Sequence, residues 1–513
     1  MSFVLLVISF LAAAALSDIR FMHYFQLNSY QSVTQVHWMG KNTSKWIPNL
    51  VFSVMGIFAL LSPAAEWLMA ACFLAAAYCT IPKKAKKPLV YTKRVQRMFL
   101  CEAVLLALAL FLSYVIGGKS LLVSSLPFWY LLSPMVVLLA NFINKPIEKA
   151  VNQHFISEAK KILSEMPELT ILGVTGSFGK TSVKYYLNTL LRAQYNVLMT
   201  PESYNTPMGI VKTIRGSLRA THEIFICEMG AKKVGEIKEI CDIVHPTHGI
   251  ITSIGPQHLE TFFTLDNVKK TKFELADALP ENGLLLLNGD DQNIADYAYP
   301  RKHLTYAIHH DADYRAFDLE VSEKGTSFSV KAPDGETERF TTRLIGTHNV
   351  LNITGAIAFS HQLGIPLQKL KAQVRKLECV PHRLQLLDHP DALVIDDAYN
   401  SNPTGTKAAL DTLALITGYK ILVTPGMVEL GEKQEECNAE FGRNAAQVCD
   451  FIVLVGKKQT EPIQKGLSEA GYPAEKIYLA DTIGEAVKKA YAIDTNGQKR
   501  VILLENDLPD NYM

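Results

Sequence analysis

Between residues 172 and 182 the chain reads Leu-Gly-Val-Thr-Gly-Ser-Phe-Gly-Lys-Thr-Ser. An apolar run enters this stretch and a helix-like Val-Lys-Tyr-Tyr-Leu-Asn-Thr-Leu-Leu leaves it. Glycines at 173, 176 and 179 let the backbone curl until its N–H groups face one point. The start of the following helix adds its dipole there. Lys180 can then reach the β- and γ-phosphates of a nucleotide, and the Thr181 hydroxyl can hold Mg²⁺. The strict phosphate-loop pattern has glycine where this chain has Val174, but Gly-Lys-Thr and the strand–turn–helix context are intact. The expectation is ATP binding by Thr175, Gly176, Ser177, Gly179, Lys180, Thr181 and Ser182. The bland alternative is a glycine-rich turn with an incidental lysine.

From about residue 168 short apolar runs alternate with helical stretches, among them EIFICEM, HGIITSI, LVIDD, KILVTP, FIVLVG and RVILLE. Such alternation implies βαβ units and a mostly parallel sheet. With Lys+Arg 51 against Asp+Glu 50, nothing favours nucleic acid as a partner. Eight cysteines without a CxxC pair exclude a disulfide framework or zinc ribbon.

Apolar residues are concentrated at the other end. Segments 2–17, 47–62, 66–81, 98–117 and 121–143 are nearly uncharged, while residues 82–97 carry seven Lys or Arg and no acid. A bilayer crossing takes about 20 apolar residues, and basic loops stay on the cytoplasmic side. The expectation is about five transmembrane helices over 1–143, multi-pass in the inner (cytoplasmic) membrane of a bacterium with the catalytic half in the cytoplasm. A cleaved signal peptide and buried core helices are the alternatives. Over 144–167, Ile147, Val151, Phe155, Ala159 and Ile162 recur at helical spacing, an amphipathic connector helix.

Further polar positions sit where strands end. Glu228 closes the apolar strand HEIFICE, the place for a magnesium-holding acid or for an ordinary surface glutamate. His258 lies in Pro-Gln-His-Leu-Glu, and Lys272 follows fourteen residues later in KKTKFELADAL. Each alone reads more simply as a loop histidine and a solvated lysine. Asn349 and Asn352 share a helix face and either read an adenine edge or cap the helix. Arg383 lies in Pro-His-Arg-Leu. The run Ile395-Asp396-Asp397-Ala398-Tyr399-Asn400-Ser401-Asn402-Pro403 carries acids and amides to the C-terminal end of a strand, where open α/β sheets place ligands. Glu429 follows another strand in Gly-Met-Val-Glu-Leu-Gly-Glu.

In this order the motifs resemble the Mur ligase family, the ATP-dependent amide-bond-forming enzymes of peptidoglycan synthesis. The likeness covers about 168–500 and is greatest to the branch that adds D-Ala-D-Ala to a muramoyl peptide. It rests on GVTGSFGKTS, CEMGAKKVGEI, GPQHLE, TKFELADAL, LLNGDD, GTHNVLN, PHRLQ, IDDAYNSNP and GMVELGE. The resemblance implies a P-loop central ATPase domain over 168–380 and a Rossmann-like C-terminal domain over 381–513. It implies that Thr181 and Glu228 hold one Mg²⁺, and that His258 and a carbamylated Lys272 serve a second. Lys180, His258, Lys272 and Asp397 would be catalytic. Asn349, Asn352, Arg383 and Asp397 would contact the nucleotide, and Asn205, Thr206, Tyr399, Asn400, Asn402 and Glu429 the substrates. The reaction implied is activation of a carboxylate as an acyl phosphate and its capture by an amine. The partners implied are a muramoyl-peptide or lipid-linked precursor, a small amine or dipeptide, membrane lipid and other cell-wall enzymes.

The chain departs from the family pattern at three places. The apolar region stands where a domain gripping the UDP-linked sugar is expected. A C-terminal lysine motif is replaced by Leu504-Glu505-Asn506-Asp507-Leu508-Pro509-Asp510, and Asn438 stands where the family usually has histidine. Two further readings follow: a Mur-type ligase for a lipid-linked or poly-amino-acid envelope substrate, and a membrane-anchored ATP-binding regulator without ligase activity.

Overall fold

The computed structural model describes residues 1–82, 87–202, 204–322, 324–399 and 401–507. The described chain falls into two compact units, divided near His154 and Phe155.

The first unit is helical. It comprises helices Ser2–Leu27, Ser32–Lys41, Ile47–Ala59 and Ala65–Thr80, and the first part of the helical span Lys93–Ser164. That span leaves helical geometry at Gly117 and Gly118; φ of +61° at Gly118 is a conformation that glycine adopts without strain. Phe10, Phe73 and Tyr130 meet edge to face within its apolar core.

The expectation of five membrane crossings, and with it a multi-pass location in the inner membrane, is corrected here. Among the described residues only Ser2–Leu27 and Lys93–Ser164 are long and apolar enough to cross a bilayer. Ile47–Ala59 and Ala65–Thr80 have 13 and 16 residues. At 1.5 Å per residue they reach about 20 and 24 Å, short of a hydrocarbon core about 30 Å thick. Two apolar helices, one of them at the N-terminus, also occur as core helices or a leader, so they do not carry a multi-pass assignment.

The second unit is α/β and carries two sheets. Among the described residues the first has nine strands: β1 (Thr170–Thr175), β2 (Val197–Met199), β3 (Ile224–Glu228), β4 (His248–Ile251), β5 (Leu285–Asn288), β6 (Leu304–Ala307), β7 (Tyr314–Ser322), β8 (Gly325–Lys331) and β9 (Thr337–Thr342). Their order is β2-β3-β1-β4-β5-β6-β7-β8-β9, parallel as far as β7 and antiparallel beyond it. Alternate residues of β1 and β3 supply opposite faces. Leu172, Val174, Ile224 and Ile226 pack on the helices Lys180–Leu191 and Thr347–Gln362. Ile171, Phe225 and Cys227 pack with Ile237 and Phe273. Both faces are covered, as a parallel sheet requires. Of the amphipathic stripe noted above, Ala159 is buried in this second core, with Phe155 and Ile162 packed against it.

Among the described residues the other sheet has six strands: β10 (Gln385–His389), β11 (Ala392–Asp397), β12 (Tyr419–Thr424), β13 (Phe451–Val455), β14 (Ile477–Ala480) and β15 (Arg500–Glu505). Their order is β10-β11-β15-β12-β13-β14, parallel except for β10. Ile395, Leu422, Leu454 and Leu503 fill one face, and Val394, Ile421, Val453 and Ile502 the other. Asn438 is a brace: its side chain accepts from Met427 N (2.9 Å) and donates to Met427 O (3.0 Å) and Gln434 O (2.8 Å). Leu508, Pro509 and Asp510 lie outside the described residues.

Candidate active site

The glycine-rich turn is built by its neighbours. β1 ends at Thr175, whose hydroxyl donates to Met229 O (2.9 Å). Ser177 donates from its backbone to Ser253 O (2.8 Å) and from its hydroxyl to Gly255 O (3.1 Å). Gly179 opens the helix Lys180–Leu191 at φ +77°, and a Cβ there would stand 2.7 Å from Asn352 Oδ1. Any side chain there would be strained and would have to displace the Asn352 amide. Val183, Tyr186, Leu187 and Leu190 hold the helix down on the sheet. Its other face presents Lys180, Thr181 and Lys184.

Lys180 Nζ donates to Gly176 O (2.7 Å) and Ser177 O (2.9 Å), placing the ammonium over the turn. Burial brings its pKa down to about 8, against the pull of Glu228. Glu228 is buried at the end of β3 and takes two hydrogen bonds and one ion pair. Oε1 accepts from Thr181 Oγ1 (3.1 Å) and Asn205 Nδ2 (3.0 Å), and Oε2 pairs with Lys184 Nζ (3.0 Å). Lys184, fully buried, is a residue the sequence reading passed over. Its signal was there, four positions after Lys180 and so on the same helix face.

Lys272, on the helix Leu265–Asp277, is 2% exposed. Burial, reinforced by the charge of Lys180, holds its pKa well below the usual lysine range. His258 sits at the start of a short helix at φ +52°, with Nδ1 against Glu429. Glu429, at φ +63°, also pairs with Lys232 Nζ (3.3 Å). Burial alone would raise Glu429, but His258 and Lys232 outweigh it and hold the carboxyl at about 2.

The second sheet sends residues to the same place. Arg383 and Asn402 join Phe178, Gly179, Lys180, Thr181, Ser182 and Gln257 around a small cavity of about 50 Å³. Arg383 stacks over Tyr399 (4.3 Å), and Asn402 caps the helix Pro403–Ala414 by accepting from Gly405 N (2.7 Å). A larger cavity of about 410 Å³ opens beside His348, between the start of the helix Thr347–Gln362 and the helix Pro403–Ala414. His348 was also passed over.

Some expected residues are spent on the fold. Asn349 accepts from Tyr186 Oη (2.7 Å) and donates to Ile345 O (2.9 Å). Thr206 caps the helix Pro207–Ser217. Asn352 faces the turn at Gly179, while Asn400 lies outside the described residues.

Comparison with known proteins agrees with this arrangement. The profile of the Mur ligase middle domain matches residues 174–360, and that of the Mur ligase glutamate ligase domain matches 382–504. The UDP-N-acetylmuramoyl-tripeptide–D-alanyl-D-alanine ligase of Escherichia coli (strain K12) is 30% identical over 357 residues, 66% of this chain and 77% of that one. The ligase of the same name from Bacillus subtilis (strain 168) is 33% identical over 287 residues, covering 55% and 62%. Among solved structures, MurF from Acinetobacter baumannii superposes with a TM-score of 0.64 at 26% identity, covering 69% of this chain and 77% of that one. MurF from Thermotoga maritima, in complex with ADP, gives 0.61 at 25%, covering 69% and 80%. Neither these relatives nor the helices support a multi-pass membrane location. The chain belongs to the Mur ligase family.

Proposed function

We propose that the chain is an ATP-dependent ligase of peptidoglycan precursor synthesis, adding D-Ala-D-Ala to the carboxylate of UDP-N-acetylmuramoyl tripeptide. One observation carries the proposal: Lys184 already pairs the buried carboxylate of Glu228, which leaves the Lys180 ammonium, held over the glycine-rich turn, for the phosphates of a nucleotide. The names of the relatives supply the two substrates.

In this reading the turn amides and Lys180 bind the phosphates. Arg383 and Asn402 close the cavity from the second sheet, and the space beside His348 takes the base. The tripeptide carboxylate accepts the γ-phosphoryl group, giving an acyl phosphate and ADP. The amine of D-Ala-D-Ala attacks that carbonyl, and the tetrahedral adduct collapses to amide and phosphate. Lys180 balances charge as it spreads over the transferring group.

The residues fit Mg²⁺. Thr181 and Glu228 offer the hard oxygens the ion prefers, and His258 keeps its Nε2 edge free of the Glu429 contact. Bound Mg²⁺ would neutralise negative charge on the phosphoryl group. Lys272 fits a carbamate, because burial favours the neutral amine that reacts with CO₂. The bond of Asn205 to Glu228 supports its assignment to the acyl substrate beside the phosphate turn.

The test is amide formation by the purified chain, followed by mass spectrometry. The substrates are ATP, Mg²⁺, UDP-linked tripeptide and D-Ala-D-Ala, with other amines and lipid-linked or poly-amino-acid acyl donors as comparison arms. ADP release that depends on the dipeptide supports the reading. Release indifferent to any amine sinks it, and faster turnover of another pair reassigns the substrates.

A further inference from the structure

Asp397 and Glu505 end the neighbouring parallel strands β11 and β15, directly opposite one another in register. Side chains at matched positions of parallel strands leave the sheet on the same side. Glu505 is fully buried and stands in the stretch where the family resemblance led to the expectation of a lysine. Its Oε1 accepts from Ser401 Oγ (2.8 Å), and its Oε2, equally buried, receives no hydrogen bond from any donor. Asp397 is 8% exposed; its Oδ1 accepts from Leu384 N (3.1 Å), and its carboxyl meets that of Glu505.

Two carboxyl groups in contact away from water do not both ionise, because the like charges repel and neither is solvated. The charged groups facing them are Arg383 and Asp396. His382 Nδ1 contacts Asp396 Oδ2 at 2.7 Å, which leaves Arg383 as the cation beside the pair. One guanidinium balances one negative charge, so the pair retains one proton. An oxygen that accepts from no donor is the natural place for it, since as a hydroxyl it can donate to the neighbouring carboxylate.

We propose that Glu505 is a positioning residue that keeps the shared proton and donates it to Asp397, holding one singly charged carboxylate toward the cleft where Arg383 and Asn402 meet the phosphate turn. Burial first, and the charge of Asp397 second, push Glu505 well above the usual carboxylate range, in the same direction. The inference rests on the reading of Asp397 as a nucleotide contact.

Steady-state kinetics of the full chain with ATP as the varied substrate, from pH 6 to 9, test it. Glu505→Gln places an amide donor at the same position, and its KM for ATP is expected within about twofold of the parent. Glu505→Ala removes the donor and raises that KM about tenfold, the usual scale for a hydrogen bond to a charged group, with kcat little changed. Both lose ATP affinity at the alkaline end as Lys180 gives up its proton near pH 8, and the parent loses more than Glu505→Gln because the shared proton leaves as well. Equal losses in the two variants, or the same alkaline trend in the parent and Glu505→Gln, overturn the shared proton alone. A normal KM for ATP in Asp397→Asn overturns the nucleotide reading and this inference with it. Unchanged melting temperatures in both Glu505 variants separate these outcomes from misfolding.

Discussion

The two sheets of the second unit present the same architectural edge with opposite electrostatics. At the C-terminal ends of β1 and β3, Lys184 pairs the carboxylate of Glu228 and Lys180 stands over the turn, while burial disfavours the charged form of Lys272. At the ends of β11 and β15, Asp396, Asp397 and Glu505 surround one guanidinium, Arg383. Parallel strands direct both edges toward ligand, but the first keeps the Lys180 cation over its turn whereas the second is crowded with carboxyls. In the second, the shared proton proposed above lowers the charge of the carboxyl pair beside Arg383. In the reading proposed above, a phosphate chain suits the first edge, and hydroxyl or amine groups the second.

Substitutions put that contrast to the test. The largest effect is expected from Lys180→Ala, which removes the cation over the turn. Amide formation should fall about a thousandfold in kcat, the scale seen when a charge-stabilising donor is lost. A fall below tenfold would mean that the turn does not handle the reacting phosphate. Next, Lys184→Met strands the buried charge of Glu228. It should cost about 3 kcal/mol in urea unfolding, the low end for breaking a buried pair. An unchanged midpoint would show the pair to be dispensable for the fold.

A smaller loss, about a hundredfold, is expected for Lys272→Met if the lysine supports the metal through a carbamate. Wild-type activity in CO₂-depleted buffer should drop and recover with bicarbonate, and indifference to bicarbonate would remove the carbamate. The smallest effect concerns Glu429, which joins the two edges. Its carboxyl is held at about 2, below its unfolded value near 4.3. Its contribution to stability is therefore complete above about pH 5 and lost as pH falls toward 2. Glu429→Gln should flatten that acid slope in unfolding experiments without metal and cost about 1 kcal/mol at neutral pH. A slope equal to the parent's would place the titration elsewhere.

Which parts of this were legible in the sequence follows from the range of each interaction. β1, the turn and the helix after it are contiguous, so glycine spacing and the apolar pattern sufficed to place them. Glu228 was legible as a strand end, and its partner Lys184 could have been found by helical spacing. The His258–Glu429 contact joins residues 171 apart in the chain, and no local pattern encodes it. Asn349 stayed open to two readings because an amide at the start of a helix looks alike in sequence whether it faces a ligand or the hydroxyl of Tyr186. The N-terminal runs misled because hydropathy marks apolar segments without marking where helices end, and two of those helices stop too soon to cross a bilayer.

His258 and Glu429 meet with both backbones in the left-handed region, at φ +52° and +63°. Few side chains tolerate that conformation, with asparagine, aspartate and glycine the least penalised. The contact is thus guarded twice, once by the side chains and once by the main chain. A saturation library should be sharply depleted of valine, isoleucine and threonine at both sites, even under selection for folding alone. Drift at either position should run through small, flexible residues before it reaches any replacement that restores the bond.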